Sequence, residues 1–295
     1  MSRVVFVHGI AQETKGAETL LEAWYPALAD GLSLAGRDLG GDAGRDTGRP
    51  DLVREQVSMA FYGDLFRPAG HRGLGVPELD ASDVQEGLET ELLLGWWESA
   101  AAQENRVAGP EAAARLRTPR LVQRALDALS HSVFFAGIAE RLMISSARQV
   151  RRYFTEPAIR AAVQQRFAEC LTDETEVVVA HSLGSVVAYE TLCARPGRPA
   201  LTLITMGSPL GVRNLVFDRL VPPPAGGPAA WPPPVRHWVN IADRGDAVAL
   251  TKTLAPLFGE RVHDVLVHNG ATAHDVRPYL TARETGAAIA RALRR

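Results

Sequence analysis

The chain has 295 residues, of which 46% are hydrophobic, 22% charged and 6% aromatic. That globular composition excludes a disordered or fibrous protein and is long enough to bury a sizeable core. Its 32 basic and 34 acidic residues leave a formal charge of −2, so no long-range field draws it toward nucleic acid, and any partner is recognised locally.

The N-terminus enters a strand at once over 3–7 and lacks the charged region, apolar segment and cleavage site of a signal peptide. No later run approaches the roughly 18 apolar residues that span a bilayer. The only cysteines, Cys170 and Cys193, lie in helix-like stretches and make neither a disulfide framework nor a zinc site. A reducing, cytoplasmic setting is the expectation. Only two of the basic residues are lysines, Lys15 and Lys252, a skew to which composition alone assigns no role.

A helix is expected over about 17–35 and a strand over 55–62. Residues 63–173 then contain no convincing strand, where a simple βα unit needs only about 30 residues, so this stretch reads as a helical cap inserted into the domain. Its segment 83–105 carries Leu88, Leu92, Leu93, Trp96 and Trp97, and 131–154 carries Phe134, Phe135, Ile138, Leu142, Met143, Val150 and Phe154 at helical spacings. Those faces serve packing on the sheet and on one another, or a lid over an apolar substrate pocket, and one helix can do both. A further reading is peripheral docking of the cap on a membrane or a partner protein.

Strand-like runs follow at 176–180, 201–206, 236–241 and 261–267, and a last helix at about 281–293. The Gly/Asp-rich stretch 40–51 and the proline-rich stretch 222–234 read as exposed, mobile loops. Alternating strands and helices predict an α/β class with a mostly parallel six-stranded sheet flanked by helices. The expected organisation is one domain over 1–295 with the cap at 63–173. No repeat is present, and nothing in the chain sets an oligomeric state.

The chemistry concentrates at strand ends. Val177-Val178-Val179-Ala180-His181-Ser182-Leu183-Gly184-Ser185 reads as an apolar strand, a tight turn and a helix. Ser182 occupies the turn, with the small residues Ala180 and Gly184 two positions away on either side. A serine on such a bend is lifted out of the sheet, and the helix N-terminus faces the charge that develops on attack. The plainer alternative is a serine N-cap on a buried helix.

This segment resembles the nucleophile elbow of the α/β-hydrolase superfamily, particularly its lipase-like and esterase-like members, with alanine at the first small position in place of the usual glycine. The resemblance covers almost the whole chain apart from the insertion. It implies an α/β-hydrolase fold with Ser182 as nucleophile after the third strand. It also implies that the turn Val7-His8-Gly9-Ile10 completes the oxyanion hole, with the backbone N–H groups of Ile10 and Leu183 as donors. His8 then orders the turn with Gly9, and His181 flanks the nucleophile. The competing reading of the turn is an ordinary strand-ending glycine.

A serine hydroxyl needs a base, and the base needs a carboxylate to fix its tautomer. In the superfamily's order of serine, acid, histidine, the loop Ala242-Asp243-Arg244-Gly245-Asp246 supplies the acid, with Asp246 favoured and Asp243 as turn former, or the two roles exchanged. The loop from Val267 to Asp275 supplies the base, with His274 favoured over His268 and His263; in lipase-like members a tyrosine recurs a few residues beyond, here Tyr279. Met206-Gly207-Ser208-Pro209 follows another strand, and Ser208 is expected to wall or support the pocket.

His263-Asp264 and His274-Asp275 lack the i, i+4 spacing of a helical zinc site, and no glycine-rich nucleotide loop is present, so neither metal nor cofactor is expected. The resulting expectation is a cofactor-independent serine hydrolase of carboxylic esters, its substrate a small-molecule ester with an apolar acyl chain or a lipid. Thioester cleavage or acyl transfer would use the same residues, and a non-catalytic binding module would keep only the fold.

Overall fold

A computed structural model describes residues 2–38, 52–67, 78–110, 119–133, 135 and 139–293. The stretch 40–51 and the cap residues Phe134 and Ile138 lie outside the described residues. Six strands, β1 (Val4–Val7), β2 (Val57–Ala60), β3 (Val177–His181), β4 (Leu201–Met206), β5 (Val235–Asp243) and β6 (Val262–Val267), form one sheet in the order β2-β1-β3-β4-β5-β6. Every pair is parallel. The class is therefore α/β with an all-parallel sheet, flanked by helices on both faces.

The valine-rich runs of β1 and β3 are buried throughout, as strands covered on both faces must be. Alternate residues serve opposite layers. Val5, Val7, Val178 and Ala180 face the layer holding α5 (Pro157–Cys170) and α6 (Leu183–Cys193). Val4, Phe6, Val177 and Val179 face the layer of α1 (Ala17–Asp38), α8 (Val276–Thr281) and α9 (Arg283–Leu293). A short α7 (Ala255–Phe258) connects β5 to β6.

Within 63–173, α2 (Leu88–Gln103), α3 (Arg120–Ser130) and α4 (Glu140–Thr155) build a separate apolar core around Leu93, Trp96, Leu126, Leu129 and Ile144. Ala247, from the loop after β5, inserts into it. The last helix of the stretch, α5, joins the sheet's flank instead, where Val163 and Phe167 pack with the strand residues. The cap is tied to that flank by Glu190 of α6. Its buried carboxylate accepts hydrogen bonds from Tyr153 Oη of α4 (2.7 Å), Arg160 Nε and Gln164 Nε2 of α5 (2.9 Å each) and the Val221 N–H (3.0 Å).

One expectation changes. The stretch 222–234 is not exposed throughout: Ala229, Pro232 and Pro234 are buried, because the Ala229 N–H bonds Leu257 O and Trp231 Nε1 bonds Val235 O. The expected last helix is present as α9, preceded by the short α8, with Ala282 extended between them and Thr285 Oγ1 bonding back to Tyr279 O. No described helix is long and apolar enough to cross a membrane.

The strand order reverses between β1 and β3, and the crevice beyond the carboxyl ends of such strands is where open α/β sheets bind ligands. The segments after β1, β3, β4 and β5 converge there.

Candidate active site

Ser182 stands between β3 and α6 with φ 53° and ψ −130°, a conformation L-residues rarely adopt, held here because neighbouring bonds over-determine it. Its N–H donates to Met206 O (3.0 Å), and Ser185 Oγ donates to its carbonyl (2.7 Å). Gly184 is required by close approach. A Cβ there would stand 2.4 Å from both the His8 and Val7 carbonyl oxygens, so any side chain would push α6 off β1.

His274 follows the last strand, in the loop before α8. Its Nδ1 lies 2.8 Å from Asp246 Oδ2 and its Nε2 lies 3.1 Å from Ser182 Oγ. A carboxylate only accepts, so Nδ1 carries the proton and Nε2 presents its lone pair to the serine hydroxyl. Gly207, at φ 52°, leaves room for this pair: a Cβ there would meet Asp246 Oδ2 at 2.8 Å and His274 Nδ1 at 3.1 Å.

Asp246 is fully buried. Oδ1 accepts the Val248 and Ala249 N–H groups at 2.9 and 3.1 Å, and Oδ2 accepts Tyr279 Oη at 2.9 Å besides His274. Burial alone would raise its pKa, but His274, the Ala249 N–H and the Lys252 charge outweigh it and hold the carboxyl at about 2. Asp243 takes a different place. It ends β5, accepts the Gly245 N–H at 2.6 Å and the Asn269 N–H, and braces two turns. Tyr279 Oη joins the two, accepting from the Asp243 N–H (2.8 Å) while donating to Asp246. The structure thus brings Ser182, Asp246 and His274 together, and leaves His263 on the edge strand β6 and His268 just beyond it.

The His8–Gly9 turn is set by its own ring. His8 Nδ1 lies 2.7 Å from Gly9 O and must therefore donate, while Nε2 accepts the Tyr62 N–H at 3.1 Å. The Gly9 carbonyl and the Ile10 N–H belong to one peptide plane and point opposite ways, so this bond also fixes the direction of the Ile10 N–H. Burial lowers the His8 pKa to about 4 and keeps the ring neutral. Leu183 opens α6, so its N–H has no partner within the helix. Ile10 and Leu183 line a small pocket beside Ser182.

The His181 ring lies 4.7 Å from that of His274 in a tilted arrangement. Burial and the neighbouring His274 lower its pKa to about 3, so it braces His274 as a neutral ring. Ser208 is a support: its Oγ lies 2.7 Å from Ser185 Oγ and accepts the Leu210 N–H at 3.2 Å.

Three contributors escaped the sequence reading. Lys252 sits under the acid, its Nζ donating to Asp246 O. The signal available was rarity, since one of the chain's two lysines is here and the other, Lys15, lines the adjoining cleft. Gln149 of α4 accepts the N–H of Ala11, itself at φ 59°, at 3.0 Å, fixing the turn after β1 from the cap. Tyr62 stacks on His8 with ring centroids 4.0 Å apart.

A cleft of about 700 Å³ opens at Ser182 and His274, lined by Trp24 of α1 and by Trp96, Phe135, Leu142 and Met143 of the cap. That volume lies in the range of small-molecule sites. Among the described residues no group of three or more His, Cys, Asp or Glu is placed to hold a metal ion. The arrangement can deprotonate a serine hydroxyl, stabilise the cation so formed and meet a developing oxyanion with helix-terminal N–H groups. Comparison with protein-family models, with curated proteins and with solved structures finds no match to this chain.

Proposed function

We propose that the protein is a serine hydrolase of the α/β-hydrolase superfamily that cleaves carboxylic esters through an acyl-enzyme on Ser182. The observation that carries this reading is His274, bonded on one side to Ser182 Oγ at 3.1 Å and on the other to the buried Asp246 at 2.8 Å. Ser182 at the elbow after β3, in a sheet ordered β2-β1-β3-β4-β5-β6, supports the superfamily assignment. The apolar cleft under the cap supports an ester with a large apolar part, a lipid included.

In the proposed reaction Ser182 Oγ attacks the carbonyl carbon as its proton passes to His274 Nε2. Asp246 stabilises the imidazolium, and the Ile10 and Leu183 N–H groups receive the carbonyl oxygen as it becomes anionic; one such donor is worth about 2.7–4 kcal/mol in the transition state. The bond to the alcohol oxygen then breaks, and His274 returns the proton to that oxygen. Water attacks the acyl-enzyme by the same route in reverse, giving its proton to His274 and releasing the acid as Ser182 regains a hydrogen.

A fluorophosphonate probe tests the assignment. It should label wild-type protein at Ser182, identified by mass spectrometry, and should not label Ser182→Ala. Persistent labelling of a folded Ser182→Ala protein, or none in the wild type, would refute the reading.

A further inference from the structure

Ser182 separates two spaces of unequal size. On the His274 side lies the open cleft of about 700 Å³. On the Leu183 side lies a narrow pocket of about 30 Å³, walled by Leu92, Val150, Val212, Leu215 and Leu250, in which Ser182 has the one side-chain hydroxyl. Trp96, Ile10 and Val248 border both and form the partition.

The chemistry assigns the halves of an ester to these spaces. The proton held on His274 Nε2 must reach the departing oxygen, so the leaving group lies within hydrogen-bond reach of His274. His274 lines the cleft and not the narrow pocket. With the carbonyl oxygen turned toward the Ile10 and Leu183 N–H groups, the remaining substituent on the carbonyl carbon points away from His274, into the narrow pocket. A space of 30 Å³ exceeds what one water needs by only about two-fold, which leaves room for one or two carbons beyond the carbonyl. The walls have little slack. Helix α2 comes so close at Gly95 that a Cβ there would lie 3.2 Å from Leu215 Cδ1 and 3.6 Å from Leu250 Cδ1.

Resting on the serine-hydrolase reading, we infer that Ser182 divides its substrate by size: a short acyl group of two or three carbons enters the narrow pocket, and a larger, mostly apolar alcohol occupies the cleft. This shifts the expected apolar bulk from the acyl chain to the leaving group.

Two isomeric esters of equal hydrophobicity, octyl acetate and methyl nonanoate, read this directly. The expected result is a kcat/KM at least about 100-fold higher for octyl acetate, because an overfilled apolar pocket discriminates by about ten-fold or more per added methylene. Leu215→Ala, or Leu250→Ala should the first fail to fold, is expected to raise kcat/KM for 4-nitrophenyl hexanoate relative to 4-nitrophenyl acetate about ten-fold. Equal rates on the isomers, or a preference for methyl nonanoate, in protein that still labels at Ser182 overturn the size division and leave the hydrolase standing. Labelling at Ser182 with turnover of neither isomer overturns the division as well. Absence of both labelling and turnover removes the division together with the hydrolase reading.

Discussion

From β3 into α6 every residue from Val177 to Leu192 is buried, whereas in α3 of the cap only Val122, Ala125, Leu126 and Leu129 are. The first region is held on all sides by sheet, helices and turns, and its backbone leaves a side chain such as Ser182 one direction in which to point. The second is amphipathic, with a face that packs and a face that meets solvent. Position is thus supplied by the sheet edge and surface by the cap. Substitutions in the former should act on turnover or folding, and substitutions in the latter on which substrate is accepted.

The sharpest way to break that division lies in the two aspartates after β5. Asp246→Asn keeps the shape but can no longer fix the His274 tautomer, so kcat should fall about 10³- to 10⁴-fold with the fold intact. Asp243→Asn should lower the melting temperature through the Gly245 and Asn269 turns, with kcat within about ten-fold of wild type. Ester turnover and thermal melts of both variants decide it; the reverse pattern would exchange their roles.

Acid should act on the sheet edge before it acts on the cap. His8 and His181 titrate at about 4 and 3 in the fold, below the usual 6.5, so the unfolded chain takes up their protons first. Stability is therefore lost as pH falls from about 6.5 through 4 to 3, by about 3 kcal/mol for His8 alone. Asp246, held at about 2, adds a loss confined to lower pH, between about 4 and 2. Melting temperatures from pH 7 to 4 should fall steadily, and His8→Asn, which keeps a donor for Gly9 O, should flatten the slope. An unchanged slope would show that His8 titrates normally.

The smallest effect belongs to the cap. Leu142→Ala enlarges the cleft wall without touching Ser182, His274 or their partners, and should raise KM for octyl acetate a few-fold with kcat nearly unchanged. A comparable fall in kcat would mean that the cap also positions the reacting groups.

Most of the sheet was legible in the chain because β1, β3 and β4 are short β-branched runs buried on both faces. The elbow was legible because a sharp turn restricts its neighbours to small residues, which Ala180 and Gly184 record. Small neighbours favour Asp246 over Asp243 in the sequence, but what separates the two is the bond from His274 Nδ1, 28 residues on, and such pairings leave no local period. Gln149 and Tyr62 escaped for the same reason, each an ordinary residue whose partner lies 138 or 54 residues away. Lys252 stands only six residues from Asp246, but its rarity names no partner.

The carboxylate of Glu190 also bears on traffic. It sits two turns into the helix that begins beside Ser182, and Tyr153 at the near end of the cap is bolted to it along with Arg160 and Gln164. Swinging α4 away as a rigid door would strip bonds from a buried anion, a cost of about 3–5 kcal/mol once a partner is lost. The cap is held at a second place as well, where Ala247 from the loop after β5 inserts into its core, while Val133 lines the cleft and is 42% exposed. In the proposed hydrolase, substrate would therefore pass by Val133, with α4 keeping its place beside Ser182.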